Sequence, residues 1–323
     1  MVETGFAPAK TGILCNALSG RLRKRRKAVQ RALGDLAPAK IREACNADEV
    51  TAALHAFAAE GIELLVVAGG DGTVQMVLSS LFNYRPFAEL PMLAVIPGGT
   101  TNMTALDLGV RGGPIRTLRR LRRCLQEPAR ARLVRRPVIR IERRDCPDVY
   151  GMFFGAGVIA SGVSYFQNRV KHLGITGELA SGLVVLRFLG ELLAGRYGQI
   201  MQPVQVAAAT GAGGMPGGSY LFVFASTLDR LLLGVRPYWG GQNKPLHITC
   251  VRESPRRFWR LLPSLIAGRG RKLREADGYY SWNVQATDMA ISDQFVVDGE
   301  LYSAGDDGRL RLSATDPATF LVP

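Results

Sequence analysis

The sequence has few of the residues that build disulfide frameworks or histidine metal sites. Its five cysteines are odd in number and widely spaced, and no Cys-x-x-Cys pair occurs. Its three histidines, His55, His172 and His247, are scattered along the chain. These absences argue against a disulfide scaffold and against a zinc site, and they fit a reducing cytosol.

Long apolar runs are also missing. The N-terminus has no apolar core after a basic region, so we expect no signal peptide. The most apolar stretch, residues 179–195, is interrupted by Arg187 and Glu191 and is short for a membrane span. We therefore predict an amphipathic helix that packs within the protein.

Acidic residues are outnumbered, with 27 Asp and Glu against 41 Lys and Arg and a net charge of +14. Thirteen arginines lie between residues 111 and 144, against only Glu127 and Glu142, and residues 21–27 read RLRKRRK. Such a charge attracts phosphates, nucleic acids or anionic membranes. The 111–144 stretch contains no aromatic residue for base stacking, which favours lipid headgroups over nucleic acid. The alternative is a set of solvated basic faces without a partner.

The first third of the chain alternates between strand-like and helix-like segments. Strands are predicted at 12–16, 64–68 and 92–96, and helices at 22–36, 47–60, 73–82, 101–107 and 114–126. This alternation predicts a doubly wound α/β domain over residues 1–133.

The sequence pattern changes after residue 133. Strand-like segments are found at 137–142, 149–154, 204–208, 220–225, 246–251, 289–297 and 310–313. Helical insertions are predicted near 175–195 and 255–267, and the glycine-rich residues 211–218 are predicted to form a loop. Residues 134–313 are therefore predicted to form a mainly β domain.

Two apolar strands end abruptly in glycines. Residues 64–73 read LLVVAGGDGT and residues 93–102 read LAVIPGGTTN. Glycines at the end of a buried parallel strand allow tight turns and let an anionic group sit on backbone N–H donors. Asp71 adds an acid that fits a metal ion or a reacting hydroxyl. No Walker-type loop occurs, so a nucleotide must be bound differently.

Simpler interpretations of these loops remain open. Glycine pairs are common in tight turns, and Thr100 and Asn102 are suited to cap the next helix. Residues 16–20, NALSG, offer polar donors after the first strand, but a plain turn also fits them. A G-x-G-x-x-A match at 155–160 has the form of a dinucleotide fingerprint, although it lies in the β-rich half without a clear βαβ unit.

A late acid pair follows a β run. Asp298, Gly299 and Glu300 come directly after FVV. Paired carboxylates accept protons or hold metals. The alternative is a simple hairpin turn, for which Asp-Gly is a favoured dipeptide.

Taken in order, N-x-x-S-G, GGDGT, P-x-G-T-x-N and DGE resemble the diacylglycerol kinase catalytic-domain family, which includes bacterial lipid kinases and the sphingosine and ceramide kinases. The resemblance runs from Asn16 to Glu300. It implies an α/β ATP-binding domain like that of NAD kinases and diacylglycerol kinases and a β-sandwich domain that holds the lipid, with the active site between them. Residues 314–323 would return to the first domain.

The resemblance also implies roles for individual residues. The nucleotide site would comprise Asn16, Ser19, Gly69, Gly70, Asp71, Gly72, Thr73, Gly99, Thr100 and Asn102. Mg²⁺ would lie near Asp71, which is also counted among the catalytic residues. Asp298 would accept the proton of the lipid hydroxyl, and Glu300 would support it or the metal.

Three positions depart from the family pattern. Met103 stands where many relatives have an acid, and residues 239–246 hold no acid for a structural Mg²⁺ site. Residues 155–162 offer no acid to meet a sphingoid amine, which disfavours that substrate.

The expected function is therefore an ATP-dependent kinase of phospholipid metabolism, with a diacylglycerol-like lipid as the favoured substrate. We expect it to be cytoplasmic and attached peripherally to an anionic membrane, without a nucleic-acid partner; a homodimer is one option for its assembly. Rival hypotheses are a soluble small-molecule kinase of the NAD-kinase type and a nucleotide- or lipid-binding protein without turnover.

Overall fold

A computed structural model describes residues 10–36, 38–165, 202–207, 215–231, 234–292 and 294–323. The predicted helix over 179–195 lies outside the described residues, as does the first half of the glycine-rich loop over 211–218. Contacts between Cα atoms divide the chain into two compact units. The first comprises Met1–Arg136 with Asp316–Pro323, and the second comprises Pro137–Thr315.

The first unit is built on a six-stranded sheet in the order β2-β1-β3-β4-β17-β5. Its strands are β1 (Thr11–Cys15), β2 (Lys40–Glu43), β3 (Leu64–Gly69), β4 (Met92–Pro97), β5 (Arg132–Arg136) and β17 (Ala318–Val322). The neighbouring pairs are parallel, except that β17 and β5 are antiparallel. The last strand of the chain thus lies between β4 and β5.

Six helices accompany this sheet. They are α1 (Gly20–Lys24), α2 (Arg26–Gly34), α3 (Ala47–Ala59), α4 (Asp71–Tyr84), α5 (Met103–Asp107) and α6 (Pro114–Gln126). Ile13 and Val66 point to the face that packs against α2 and α6. A Cβ on Gly12, the neighbour of Ile13, would stand 3.0 Å from Phe57 of α3, so α3 covers the other face.

The second unit contains an antiparallel sheet of eleven strands among the described residues. They are β6 (Ile139–Arg143), β7 (Cys146–Gly151), β8 (Phe153–Gly157), β9 (Val204–Ala207), β10 (Gly218–Ser226), β11 (Leu246–Arg252), β12 (Tyr279–Val284), β13 (Ala286–Ile291), β14 (Gln294–Val297), β15 (Glu300–Ser303) and β16 (Arg309–Ala314). The described helices of this unit are α7 (Val158–Tyr165) and α8 (Phe258–Ile266).

This sheet forks at β10. The first residues of β10 pair with β9, which leads on to β13, β16, β6 and β7. Its later residues pair with β8, which leads to β14 and β15, while β11 runs along the other side. Ile141 and Leu312 of one branch share a hydrophobic core with Phe154 and Phe295 of the other. The predicted fold class, an α/β domain followed by a mainly β domain, is confirmed.

Several boundaries differ from the sequence predictions. The helix predicted over 22–36 breaks at Arg25, whose backbone leaves the helical region. The segments 149–154 and 289–297, each predicted as one strand, are each divided between two strands. The strands β2 and β5 were not predicted because both lie at sheet edges and carry Lys and Arg in place of an apolar pattern. Within the described residues, no helix has the length and hydropathy needed to span a membrane.

Candidate functional site

Three loops follow parallel strands of the first unit. Residues 16–19 follow β1, residues 70–73 follow β3, and residues 98–102 follow β4. Because these strands are parallel neighbours, the loops lie at one edge of the sheet, the usual position of ligand sites in such folds. The structure thus brings together all the predicted nucleotide-site residues.

Hydrogen bonds join the three loops to one another. The Asn16 side-chain amide donates to the Thr73 hydroxyl at 3.0 Å. The Gly98 N–H donates to the Gly69 carbonyl at 2.7 Å, and the Arg21 N–H donates to the Gly98 carbonyl at 2.9 Å. The loops therefore form one connected scaffold, a condition for holding a ligand in a fixed geometry.

Two glycines allow the backbones of the second and third loops to touch. A Cβ on Gly99 would stand 2.7 Å from the Cα of Gly70, and a Cβ on Gly70 would stand 3.1 Å from the Cα of Gly99. A Cβ on Gly69 would stand 2.5 Å from the Thr73 side chain. These close contacts within the protein therefore explain why glycine is required at these positions, whether or not a ligand binds.

Asp71 holds the third loop and caps the helix that follows it. One carboxylate oxygen accepts from the Thr101 hydroxyl at 2.7 Å and the Met103 N–H at 3.0 Å, and the other accepts from the Thr104 N–H at 3.2 Å. The side chain is buried. A carboxylate has about four lone-pair sites, so three are used within the protein and one remains for a metal or a water.

The hypothesis that Thr100 or Asn102 caps the following helix is wrong. Asn102 precedes α5 with φ of 50°, and its side chain makes no capping hydrogen bond. Its amide group instead donates to the Gly99 carbonyl and accepts from the Gly99 N–H. The Thr100 carbonyl accepts from the Arg21 guanidinium at 3.4 Å. The capping function belongs to Asp71, thirty residues earlier, which a local pattern does not reveal.

Ser19 and Cys15 complete this edge of the sheet. Ser19 precedes α1, and its N–H donates to the Asn16 carbonyl in a tight turn. Cys15 ends β1 and is buried. Burial is the main cause that raises the pKa of the Cys15 thiol to about 11, and nearby Glu43 adds to it. The thiol is therefore protonated at neutral pH and a poor nucleophile.

In the first unit, analysis of the sequence missed Arg21 and Thr101. Arg21 attracted notice only as part of a basic run, although its backbone and side chain both contact the third loop. Thr101 links Asp71 to that loop. A hydroxyl residue just before a helix is a recognisable signal for Thr101. Arg21 has no comparable signal.

Asp298 occupies a hairpin turn in the second unit. Asp298 and Gly299 have φ of 49° and 95° and connect β14 to β15, which is the type I′ arrangement. The simple-turn hypothesis is therefore correct for the backbone. The Asp298 side chain does more, because it points back to the turn between β7 and β8.

Backbone amides of that turn hold the Asp298 carboxylate. It accepts from the Met152 N–H at 2.9 Å and from the Phe153 N–H at 3.0 Å, and the Asp298 N–H donates to the Phe153 carbonyl. A Cβ on Gly151 would stand 2.6 Å from a carboxylate oxygen of Asp298. Two amide donors stabilise the ionised carboxylate, which is the form that accepts a proton.

Glu300 and the supporting residues of Asp298 differ in exposure. Glu300 begins β15 and is exposed. Ser226 is fully buried, and its hydroxyl donates to the Met152 carbonyl at 2.8 Å, which fixes the turn that holds Asp298. Sequence reasoning missed Gly151, Met152, Phe153 and Ser226, because a continuous strand was predicted there.

The dinucleotide-like match at 155–160 has another explanation. It spans the end of β8 and the start of α7, but β8 pairs antiparallel with β10 and β14, so no βαβ unit exists there. A Cβ on Gly157 would stand 2.6 Å from the Leu221 carbonyl. Packing against a neighbouring strand thus explains this glycine.

Comparisons with known proteins agree with this geometry. The sequence profile of the diacylglycerol kinase catalytic domain matches residues 10–133. A diacylglycerol kinase of Bacillus subtilis (strain 168) is 42% identical over 66 residues, 20% of this chain and 20% of that protein. A probable lipid kinase YegS-like protein of Stenotrophomonas maltophilia (strain K279a) is 42% identical over 55 residues, 17% of this chain and 18% of that protein. The alignments thus span about a fifth of these curated relatives.

Solved structures share the fold along the whole chain. A crystal structure described as a putative diacylglycerol kinase from Bacillus anthracis str. Sterne has a TM-score of 0.64 and 18% identity, covering 100% of this chain and 98% of that one. A second diacylglycerol kinase structure from that organism has a TM-score of 0.60 and 16% identity, covering 98% and 97%. At this identity the likeness shows the fold alone. Residues 10–133, which carry the three hydrogen-bonded loops, are the part of this chain that matches the profile of the diacylglycerol kinase catalytic domain.

Proposed function

We propose that this protein is an ATP-dependent lipid kinase that transfers the γ-phosphate to a hydroxyl of a diacylglycerol-like lipid. The observation that carries the proposal is the scaffold of three joined loops at one edge of a parallel sheet, in a segment that matches a kinase family. The names of the relatives, diacylglycerol kinase and probable lipid kinase, support a lipid acceptor.

The loops support nucleotide binding through their backbone. The N-terminus of α4 begins at Asp71, and the first N–H groups of a helix have no partner within the helix. Such N–H groups and the helix dipole bind phosphate oxygens. We propose that Asn16, Ser19, Gly69, Gly70, Gly72, Thr73, Gly99, Thr100 and Asn102 line the ATP site, with Asn102 and Thr73 acting through the loop geometry that they fix.

Asp71 fits a magnesium role only in part. Its single remaining lone-pair site suits one bond to Mg²⁺ or to a water of its shell, and Mg²⁺ in kinases takes its other ligands from phosphates and waters. Among the described residues, no group of three acidic, histidine or cysteine side chains is placed to hold a metal. The bound ion would neutralise charge on the phosphates of ATP.

Asp298 is the proposed proton acceptor. Its buried carboxylate is oriented by the Met152 and Phe153 amides, which fixes its position and favours its charged form. The lipid hydroxyl loses its proton to Asp298 as its oxygen bonds to the γ-phosphorus, and ADP leaves with the electrons of the broken bond. Glu300, being exposed, is proposed only to support Asp298 electrostatically.

The protein is proposed to be cytoplasmic and attached to an anionic membrane surface, and the distribution of ion pairs supports the attachment. We define the basic surface as the exposed side chains of Arg23, Lys24, Arg25, Arg26, Lys27, Arg31, Arg116, Arg119, Arg122 and Arg123 on α1, α2 and α6. Within the part of the chain that the structure describes, none of these ten cations forms an ion pair. In the second unit, by contrast, Arg140 pairs with Glu142 and Asp148, and Arg311 pairs with Asp288.

Basic side chains are also concentrated in the layer of α2 and α6 in the first unit. A polar cleft of about 280 Å³ between α2 and α6 is lined by Arg119, Arg122 and Arg123 with Asp35. Residues 46–84, which include α3 and α4, contain five acids and no lysine or arginine. A merely arginine-rich composition would not leave one helix layer unpaired and basic and the other acidic, so we propose lipid headgroups as the partner of the basic surface.

The test is transfer of labelled γ-phosphate from ATP to lipids in mixed micelles with Mg²⁺, over a panel of diacylglycerol, phosphatidylglycerol, glycolipid and sphingoid acceptors. We expect a labelled lipid, with diacylglycerol best, and none with Asp298→Asn. Label on NAD in place of lipid would favour the NAD-kinase hypothesis. ATP binding without any labelled acceptor would favour a protein without turnover.

A further inference from the structure

Helix α8 of the second unit has an apolar face that the described residues leave uncovered. Its inner side, with Leu265, packs on a core that includes Val251 and Tyr279. Trp259 and Ile266 point outward, with 37% and 44% of their surface exposed. Seven residues are almost two full helical turns, so these two side chains share one face, with exposed Pro263 between them.

The helix is seated firmly by the turn that follows it. A Cβ on Gly268 would stand 2.3 Å from the Arg236 carbonyl, and a Cβ on Gly270 would stand 2.7 Å from the Trp239 side chain. The Arg269 N–H donates to the Ser264 carbonyl at 2.8 Å. The outward face is therefore presented by a fixed element.

Unpaired cations flank this apolar face at both ends. Exposed basic residues precede or enter the helix at Arg257 and Arg260 and follow it at Arg269, Arg271, Lys272 and Arg274. Among described residues, none of these six forms an ion pair, although Arg256 next to them lies 4.0 Å from Asp277. The segment thus keeps its positive charge.

An exposed tryptophan on an apolar helix face, bordered by Lys and Arg, is the pattern of a helix that lies in the membrane interface. The tryptophan sits at the level of the headgroups, the apolar face reaches the acyl chains, and the cations contact anionic lipid. We infer that α8, with its flanking cations, is a membrane-interface helix that inserts Trp259 and Ile266 into an anionic bilayer. The inference deepens the proposed lipid kinase function, on which its biological purpose rests, but insertion can be measured without catalysis.

The decisive experiment uses Trp259 as the reporter. The chain has three tryptophans, so a Trp239→Phe, Trp282→Phe variant leaves Trp259 alone. Vesicles of phosphatidylcholine and phosphatidylglycerol should shift its emission to the blue, and lipids brominated on their acyl chains should quench it. Vesicles of phosphatidylcholine alone should do neither at physiological salt. If this variant melts early, acrylamide quenching of all three tryptophans in the native chain, with and without vesicles, gives the same information.

Matched variants distinguish insertion of α8 from nonspecific binding to vesicles. Trp259→Ala with Ile266→Ala should weaken vesicle sedimentation several-fold, with a loss that persists at high salt. Leu90→Ala, which removes an apolar side chain that is 48% exposed in the first unit, should leave vesicle sedimentation unchanged. Arg269→Gln with Arg271→Gln should weaken binding at low salt more than Lys244→Gln with Arg309→Gln, which removes two exposed cations elsewhere in the second unit.

The outcomes distinguish this inference from the kinase proposal. If Trp259 shows neither shift nor quenching while the protein sediments with anionic vesicles, the inference is overturned whatever the activity. The same holds if the Trp259 and Ile266 variant loses only self-association in sedimentation velocity, because the face would then bind a second copy. If Trp259 inserts but no lipid is phosphorylated, the kinase proposal fails and the interface helix stands. Both are supported if the variant loses activity on vesicles and keeps it on lipid in micelles.

Discussion

Each of the two units contains a buried aspartate that receives hydrogen bonds from a neighbouring loop. Asp71 and Asp298 are 6% and 5% exposed. Asp71 lies at the start of a helix and accepts three hydrogen bonds from residues 101–104. Asp298 lies in a turn with positive φ and accepts two from residues 152–153. Both motif acids are therefore structural as well as candidate functional residues, and they differ in what their carboxylates contact.

This difference predicts separate roles for Asp71 and Asp298. Three of about four lone-pair sites are used on Asp71, so its main work is to hold a loop and a helix start. Asp298 is held in place by the Met152 and Phe153 amides and is the proposed proton acceptor. Loss of Asp71 should therefore act first on stability, and loss of Asp298 first on turnover.

The largest effect is expected from Asp298→Asn. Turnover should fall at least about 100-fold, because a general base contributes roughly 10²–10⁴ to the rate, while ATP binding should change only a few-fold. The measurement is steady-state transfer of labelled phosphate, together with nucleotide titration. Glu300→Gln, which alters an exposed acid two residues away, should keep most of the activity. Unchanged turnover in Asp298→Asn would remove this residue as the base.

The second-largest effect is expected from Asp71→Ala, which leaves buried N–H groups and a hydroxyl without their acceptor. Loss of these hydrogen bonds should lower the free energy of unfolding by about 1–3 kcal/mol. Denaturant unfolding of the purified protein measures it. Asp35, an exposed acid at the end of α2, supplies the control Asp35→Ala. A smaller loss for Asp71→Ala than for the control would contradict the capping role.

The third prediction concerns the contact between glycines. Gly99→Ala would place a methyl group 2.7 Å from the Cα of Gly70, so the loops must separate. We expect about 1–3 kcal/mol of destabilisation and weaker ATP binding. Gly34→Ala serves as the control, since a Cβ there meets nothing within 4 Å. Tight ATP binding by Gly99→Ala would show that loop contact is unnecessary for the site.

The smallest effect is a difference in thiol reactivity between the two units. Burial, the largest cause, raises the pKa of Cys15 to about 11, whereas Cys146 is exposed. At pH 8 a thiol reagent should label Cys146 and leave Cys15 unmodified in the folded protein, because only the thiolate reacts. Peptide mapping after alkylation distinguishes the two. Stability should also fall as pH rises above about 9, since the unfolded Cys15 thiol loses its proton first.

The arginines show what the amino-acid composition leaves undetermined. Sequence alone counts cations but does not show which are neutralised. In the second unit, Arg140 and Arg311 have nearby carboxylates across the strands, while the exposed cations of α1, α2 and α6 have none among the residues described. The cations of β6 and β16 are therefore partly neutralised, whereas those exposed on α1, α2 and α6 keep their charge among the residues described.

The sequence by itself determined the fold class, the elements that lead into the glycine loops and the resemblance to the diacylglycerol kinase catalytic domain. Buried parallel strands are apolar without interruption, and the helix over 114–126 has strong amphipathic spacing, so both are visible locally. Their termini could be read because glycine and small hydroxyl residues mark strand ends. The resemblance could be identified because its motifs occur in a fixed order.

Only the tertiary structure decided which partners each motif residue has. The Asp71 cap spans thirty residues, and the amides that hold Asp298 come from a turn about 145 residues earlier. The edge strands β2 and β5, the fork at β10 and the uncovered face of α8 also depend on distant neighbours. Local patterns record propensity and burial, whereas hydrogen-bond partners depend on which segments the chain brings together in space.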